Sequence, residues 1–175
     1  MRQDGNWAEQ EFSEIELGDV RRKKRLIELA GQRARKPNGS ISESCGSKAA
    51  TKAAYRLLDN EDVEADRILE SHTSSAIQRA RGKTVLLAIQ DTTLLDYTRH
   101  RATQGLGYLH DLMHQGMIVH STLLVSPERI AYGLIQQQVW VRPVEDYRKR
   151  HKRYQRLTAE KESQKWLTNP MCKFF

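Results

Sequence analysis

TVLLAIQDTTLLDY, from Thr84 to Tyr97, is where the character of this chain changes. Before it, from Asn6 to about Lys83, apolar residues recur at helical spacing; from Gly82 onward they gather into short β-rich runs. Val85-Leu86-Leu87-Ala88-Ile89 has no polar alternation, so the run is expected to start as a fully buried strand. MIVHSTLLVS (Met117 to Ser126) reads as a second strand and IAYGLIQQQVWV (Ile130 to Val141) as a third, joined by the tight connection Pro127-Glu128-Arg129. Three successive strands joined in this way predict an antiparallel meander. Gly105, Gly107, His110 and Gly116 mark a loop between the first two. From Asp146 to Leu167 the residues are again charged and helix-forming.

Moving from that stretch towards the N-terminus, Trp7, Phe12, Ile15 and Leu17 suggest a short first helix ending near Gly18, and Asp19 can cap a second from Val20 towards Arg35. Pro37-Asn38-Gly39 stops it, and Ser40 to Gly46 reads as a polar turn. Ser47 to Leu58 is rich in helix formers and closed by Asp59-Asn60, and a fourth helix is expected from Val63 to about Arg81. The expected fold class is α+β: a helical bundle over residues 1–83, then β-β-β-α over 84–175.

The composition is 38% hydrophobic, 29% charged and 7% aromatic, and no apolar run approaches the ~20 residues of a membrane span. The N-terminus lacks the pattern of a secretory signal, so the expected location is the cytoplasm, without membrane partners. Cys45 and Cys172 are too far apart in sequence for a C-x-x-C site and indicate neither a disulfide framework nor a zinc ribbon. The formal net charge of +7 favours a polyanionic partner, above all nucleic acid. Val20 to Lys36 holds eight Lys or Arg and Arg148 to Arg156 holds six, against the single carboxylate Glu28. Either run could be only a solvated face, but Leu26, Ile27, Leu29 and Ala30 would seat the first against a core with its cations outward.

Asp91 is the most informative single residue. A carboxylate within or at the end of an apolar strand is costly unless paired or metal-bound, although the same pattern also suits a turn-forming Asp before Thr92-Thr93. Two-metal phosphoryl transfer needs several converging carboxylates, which one Asp cannot supply. His110 and His114 have a helix-face spacing but no third ligand, which favours a loop role, and His120 reads as a packed strand residue. Trp140 and Trp166 read as core or interface residues.

WAEQEF, ELGDVRRKKRL, SKAATKAAYRLLDN, VLLAIQDTTLLDY, GLGYL, VHSTLLV, VWVRP and KESQKWL occur here in order between Trp7 and Leu167. In that order and approximate spacing they resemble bacterial transposases of the IS-four (Tn-five-like) group. The resemblance implies a transposon-end DNA-binding domain over 1–83 and the opening strands of a ribonuclease-H-like domain over 84–175. It implies phosphodiester hydrolysis and strand transfer with Mg²⁺ or Mn²⁺, and a nucleoid-associated bacterial protein. Its partners would be double-stranded DNA bearing transposon-end inverted repeats and full-length transposase. Asp91 matches the first acid of the Asp-Asp-Glu set and would be its catalytic and metal-binding member. The second Asp, followed in the family by Arg-Glu, and the later Glu have no counterpart; Asp66-Arg67 is a superficial match in the helical region. The expectation is therefore a catalytic domain that stops short and no strand cleavage by this chain alone.

By the same resemblance Arg21, Arg22 and Arg25 match the basic opening of the second helix. Lys48, Arg56 and the Ser40 to Ser44 turn fall where relatives approach DNA, and Lys48 takes a position that is acidic in relatives. Arg reads guanine or bridges phosphate oxygens bidentately, which singles out Arg22 and Arg56; for Arg56 the alternative is helix-surface charge beside Tyr55 and Leu57, and the resemblance favours contact. Three further readings stand beside this one: a truncated regulator that occupies transposon ends, a small nuclease completed by Glu128, Glu145, Asp146 or Glu162, and the aggregation-prone relic of a decayed gene.

Overall fold

The computed structural model describes residues 7–148, 155, 157 and 161–166. The chain divides into two compact units, Met1–Arg81 and Gly82–Phe175. It is α+β, with helices first and an antiparallel sheet after them.

The first unit holds α1 (Trp7–Glu11), α2 (Val20–Arg35), α3 (Ile41–Cys45), α4 (Lys48–Leu58) and α5 (Ala65–Ala80). Its core is Phe12, Ile15, Leu17, Leu26 and Leu57, with Ile27, Leu29, Ala30, Val63 and Ile68 packed against them. Asp19 caps α2, its carboxylate accepting from the Arg21 amide at 2.7 Å, and Ser47 caps α4 through the Ala50 amide at 3.2 Å.

Two expectations are corrected. The first helix ends at Glu11, not near Gly18. The hydroxyls of Ser71 and Ser75 on α5 donate to the Glu11 carbonyl at 3.1 and 3.0 Å, while its carboxylate pairs with His72 and Arg79. Phe12, Ile15 and Leu17 still enter the core, but from a turn and the irregular segment after it. The region expected as a polar turn contains α3. Ser40 and Glu43 form a reciprocal capping box at its start, and Gly46 ends it at φ +68°.

In the second unit β1 (Leu87–Asp96), β3 (Gln115–Val125) and β4 (Ala131–Trp140) form the predicted meander, with β3 between the other two. β2 (Gly107–Tyr108) pairs with Gln115 and Gly116 at one end of β3. The β3–β4 hairpin closes through Ser126, with Arg129 in the left-handed region at φ 66°. Gly116, expected in the loop, lies inside β3. A Cβ there would collide with the Leu95 carbonyl, just as one on Gly107 would strike the Arg142 backbone.

The expectation of a fully buried first strand is also corrected. β1 alternates, with Leu87, Ile89, Asp91 and Thr93 exposed on one face. β1 is at the edge of the described sheet, and its apolar composition does not by itself provide a cover. The opposite face carries the buried side of β3: Ile118, His120, Thr122 and Leu124. There the His120 ring is hydrogen-bonded on both sides, Nδ1 with the Thr92 hydroxyl (2.8 Å) and Nε2 with Gln90 Oε1 (3.1 Å).

Half of the helix expected from Asp146 to Leu167 falls outside the described residues, as does most of the basic run Arg148 to Arg156. Within them are α6 (Val144–Tyr147) and a 3-10 turn, Glu162–Trp166. Trp166 lies 4.6 Å from His120, ring centre to ring centre. Arg142 ties the same turn down through a fork on Glu162 (2.6 and 2.7 Å) while donating to the Leu109 carbonyl at 2.7 Å. GLGYL, VWVRP and KESQKWL thus meet at one guanidinium, a packing reason for three motifs far apart in sequence.

Candidate nucleic-acid interface

The cations of the first unit fall into two kinds. Some fasten the fold: Arg22 bonds the Leu17 carbonyl and the Asp62 carboxylate, Lys23 the Ser13 carbonyl, and Arg33 the Pro37 and Gly39 carbonyls and the Ser44 hydroxyl. Arg21 is paired with Asp19 at 2.8 Å, and Lys36 lies 3.8 Å from Glu43. The side chains of Lys24, Arg25, Arg35, Lys48, Lys52 and Arg56 are exposed and have no partner among the described residues.

α4 presents three of those six in register. Lys48, Lys52 and Arg56 follow one another at i, i+4 and i+8, so they lie on one helix face about 12 Å long. Ser42, Lys48, Thr51, Lys52, Tyr55, Arg56 and Asp59 line a shallow open groove of about 360 Å³. Tyr55 is 48% exposed, although its neighbours Ala54 and Leu57 are buried in the core. The inner side of the helix is therefore anchored, while its outer side carries donors, an aromatic ring and positive charge. Sequence reasoning picked out Lys48 and Arg56 but missed Lys52 and Tyr55 between them; the four-residue spacing of the cations was the available signal.

The structure places Lys48 and Arg56 in that groove, while Arg21, Arg22 and Arg25 stand along α2 outside its lining. Arg22 has only 26% of its side chain exposed, and its two terminal nitrogens are both engaged. The Ser40 to Ser44 segment contributes Ser42 to the groove; Ser40 and Ser44 are used in capping and bracing.

Electrostatics at the start of α2 is local. Arg21 beside Asp19, with the Arg21 amide, holds the Asp19 carboxyl down at about 2, so the cap is ionised at any ordinary pH. In the second unit Asp111 raises the pKa of His114 through their 2.9 Å contact, and the imidazole lowers that of Asp111 in turn. His110 and His114 are neighbouring loop rings with centres 6.2 Å apart.

Asp91 sits within β1, exposed and opposite Ser121 in the register. Among the described residues no three His, Cys, Asp or Glu side chains are grouped to hold a metal ion. Glu162, one of the acids that could have completed a site, is committed to Arg142. Asp91 by itself therefore does not fit the Mg²⁺ or Mn²⁺ that the resemblance implies. No helix among the described residues is long and apolar enough to cross a membrane.

Residues 4–63 match a protein family described as transposase DNA-binding. The matched interval takes in α1 to α4, including the basic helix and the exposed face of α4, and stops before α5. Helices α1 to α4 are thus similar to the DNA-binding region of transposases.

Proposed function

We propose that the chain recognises transposon-end repeats in double-stranded DNA by laying the outer face of α4 along the major groove, as part of a cut-and-paste transposase of the IS-four type. The observation that carries this reading is the ridge Lys48, Lys52 and Arg56, unpaired on a helix whose other side is locked into the core. A groove about 12 Å wide admits one α-helix. Arg56 has the planar fork that reads a guanine edge, whereas Lys52 supplies a point charge to phosphate. Lys24, Arg25 and Arg35 on α2 add backbone contacts that position the protein without reading sequence.

A second reading is favoured by the isolation of Asp91 among the described residues: the chain occupies transposon ends, alone or mixed with full-length transposase, and regulates without cutting. In the intact family Mg²⁺ or Mn²⁺ bound by converging carboxylates supplies the hydrolytic chemistry, and Asp91 would be one of those ligands within a ribonuclease-H-like sheet.

Gel-shift titration tests the DNA reading, with a duplex selected from a randomised pool by the unaltered protein. Arg56→Ala is expected to weaken that duplex by about 1–3 kcal/mol and relax preference at one base pair. Lys52→Ala should instead weaken all duplexes alike and lower the salt slope by about one. Unchanged affinity in both variants would remove α4 as the interface. Co-expression with an intact transposase tests the second reading, because an unchanged transposition frequency would remove it.

A further inference from the structure

α4 is fastened to α2 on both flanks, and the fasteners are two arginines. Arg22 donates to the Leu17 carbonyl (2.9 Å) and to Asp62, in the turn that follows α4. Arg33 donates to the Ser44 hydroxyl (2.9 Å), in the short helix that precedes α4, and to the Pro37 carbonyl (3.1 Å). The Ser44 hydroxyl in turn reaches the Ser40 and Lys36 carbonyls at 2.9 and 3.1 Å. Arg22 and Arg33 are three helical turns apart, so they share a face of α2 and stand about 16 Å from each other along its axis. α4 has 11 residues, which gives it the same length. Its entry is held at the Arg33 end and its exit at the Arg22 end.

We propose that Arg22 and Arg33 are positioning residues for DNA recognition: a two-point mount that sets the axial position and tilt of α4, and so determines sequence discrimination without either side chain touching DNA. The proposal rests on the reading of α4 as the DNA-contacting helix. Base readout requires donors held to within a fraction of an ångström, whereas attraction between lysine and phosphate tolerates displacement. A loosened mount therefore lowers the preference for the correct sequence and leaves general affinity in place. Both guanidinium groups already have protein partners, so neutralising them removes no phosphate contact.

The test uses the full chain, the selected duplex and a shuffled duplex of equal length. Arg22→Gln and Arg33→Gln are each expected to reduce the ratio of the two affinities about tenfold, with the slope of log affinity against log salt unchanged. A change that only destabilises the protein lowers the active fraction for both duplexes alike and does not move their ratio. Should either glutamine variant fail to fold, Ser44→Ala loosens the Arg33 side while keeping every charge, and the same fall in ratio is expected. A slope lowered by about one with the ratio kept would make the arginines phosphate contacts and overturn the proposal, as would a ratio unaffected by Ser44→Ala. Arg56→Ala is measured alongside: if it also spares the ratio, the α4 reading itself has failed, and if it alone collapses the ratio, only the mount has.

Discussion

The helical unit and the sheet unit handle polar groups in opposite ways. In the helices charge is structural: buried Glu11 is held by His72 and Arg79, and Arg22, Lys23 and Arg33 tie down turns by donating to backbone carbonyls. In the sheet the buried polar side chains among the described residues include no carboxylate, lysine or arginine: His120, Thr122 and Ser126 are almost wholly enclosed beside Ile118 and Leu124. The helices have a thin core stiffened by cations at its edges, which leaves other cations free on the surface for a polyanion. The sheet concentrates its apolar burial on one face and leaves Leu87 and Ile89 exposed on the other.

The largest expected effects come from cutting into the two cores. Leu57 and Leu124 are each 2% exposed, so each change to Ala should cost about 2–5 kcal/mol. Leu57→Ala is expected at the lower end, because its partly buried neighbours can move into the space left behind. Leu124→Ala is expected at the upper end, since paired strands on both sides of β3 resist collapse. Urea denaturation, with amide exchange followed in α4 and β3, measures both. The reverse order would break the contrast between a thin helical core and a rigid sheet core.

The two units also differed in how much could be read from sequence. Local rules placed α2 and α4, because Asp19 and Ser47 are caps acting on amides two or three residues away. The meander was equally open to reading, since its strands are consecutive and its hairpin short. What escaped was fixed from a distance. The end of α1 is set by Ser71 and Ser75, and the fate of Arg22 by Asp62, 40 residues on. α3 had a local signal in Ser40-x-x-Glu43, but at five residues it was too short to show periodicity. For β1, apolar composition told which side chains gain from burial and nothing about what would cover them. In the candidate interface the chemistry of Arg56 was legible, and the division of α2 into fasteners and free cations was not, because both kinds look alike in a basic run.

A smaller effect probes a place where the sheet unit uses charge as the helices do. Glu162 holds the Arg142 guanidinium charged, and each side chain is about one-third exposed or less. Arg142→Met should cost about 2 kcal/mol, because the Glu162 carboxylate and the Leu109 carbonyl both lose their donor. Glu162→Gln, which keeps an acceptor, should cost about 1 kcal/mol. A double-mutant cycle read by thermal melting should return a positive coupling. Strict additivity would mean that the fork contributes nothing and that the two units differ still more sharply in their use of charge.

The smallest effect concerns pH, and its sign follows from the cap on α2. The Arg21 side chain and amide hold Asp19 at about 2, below its ordinary value of 3.8, so the ionised form belongs to the folded state. Its contribution is fully present above the unfolded value and disappears as pH falls through about 2. Acid titration of helix content should therefore show the first unit losing stability across that window. Asp19→Asn keeps a capping oxygen but cannot titrate, so it should remove this part of the acid dependence while changing neutral-pH stability little. Asp19→Ala removes both the cap and its titration, so it should lower the melting temperature at neutral pH and flatten the acid limb. If Asp19→Asn leaves the acid profile unchanged, the Arg21 pairing is solvent-screened at this exposed helix start, and the amide alone holds the cap.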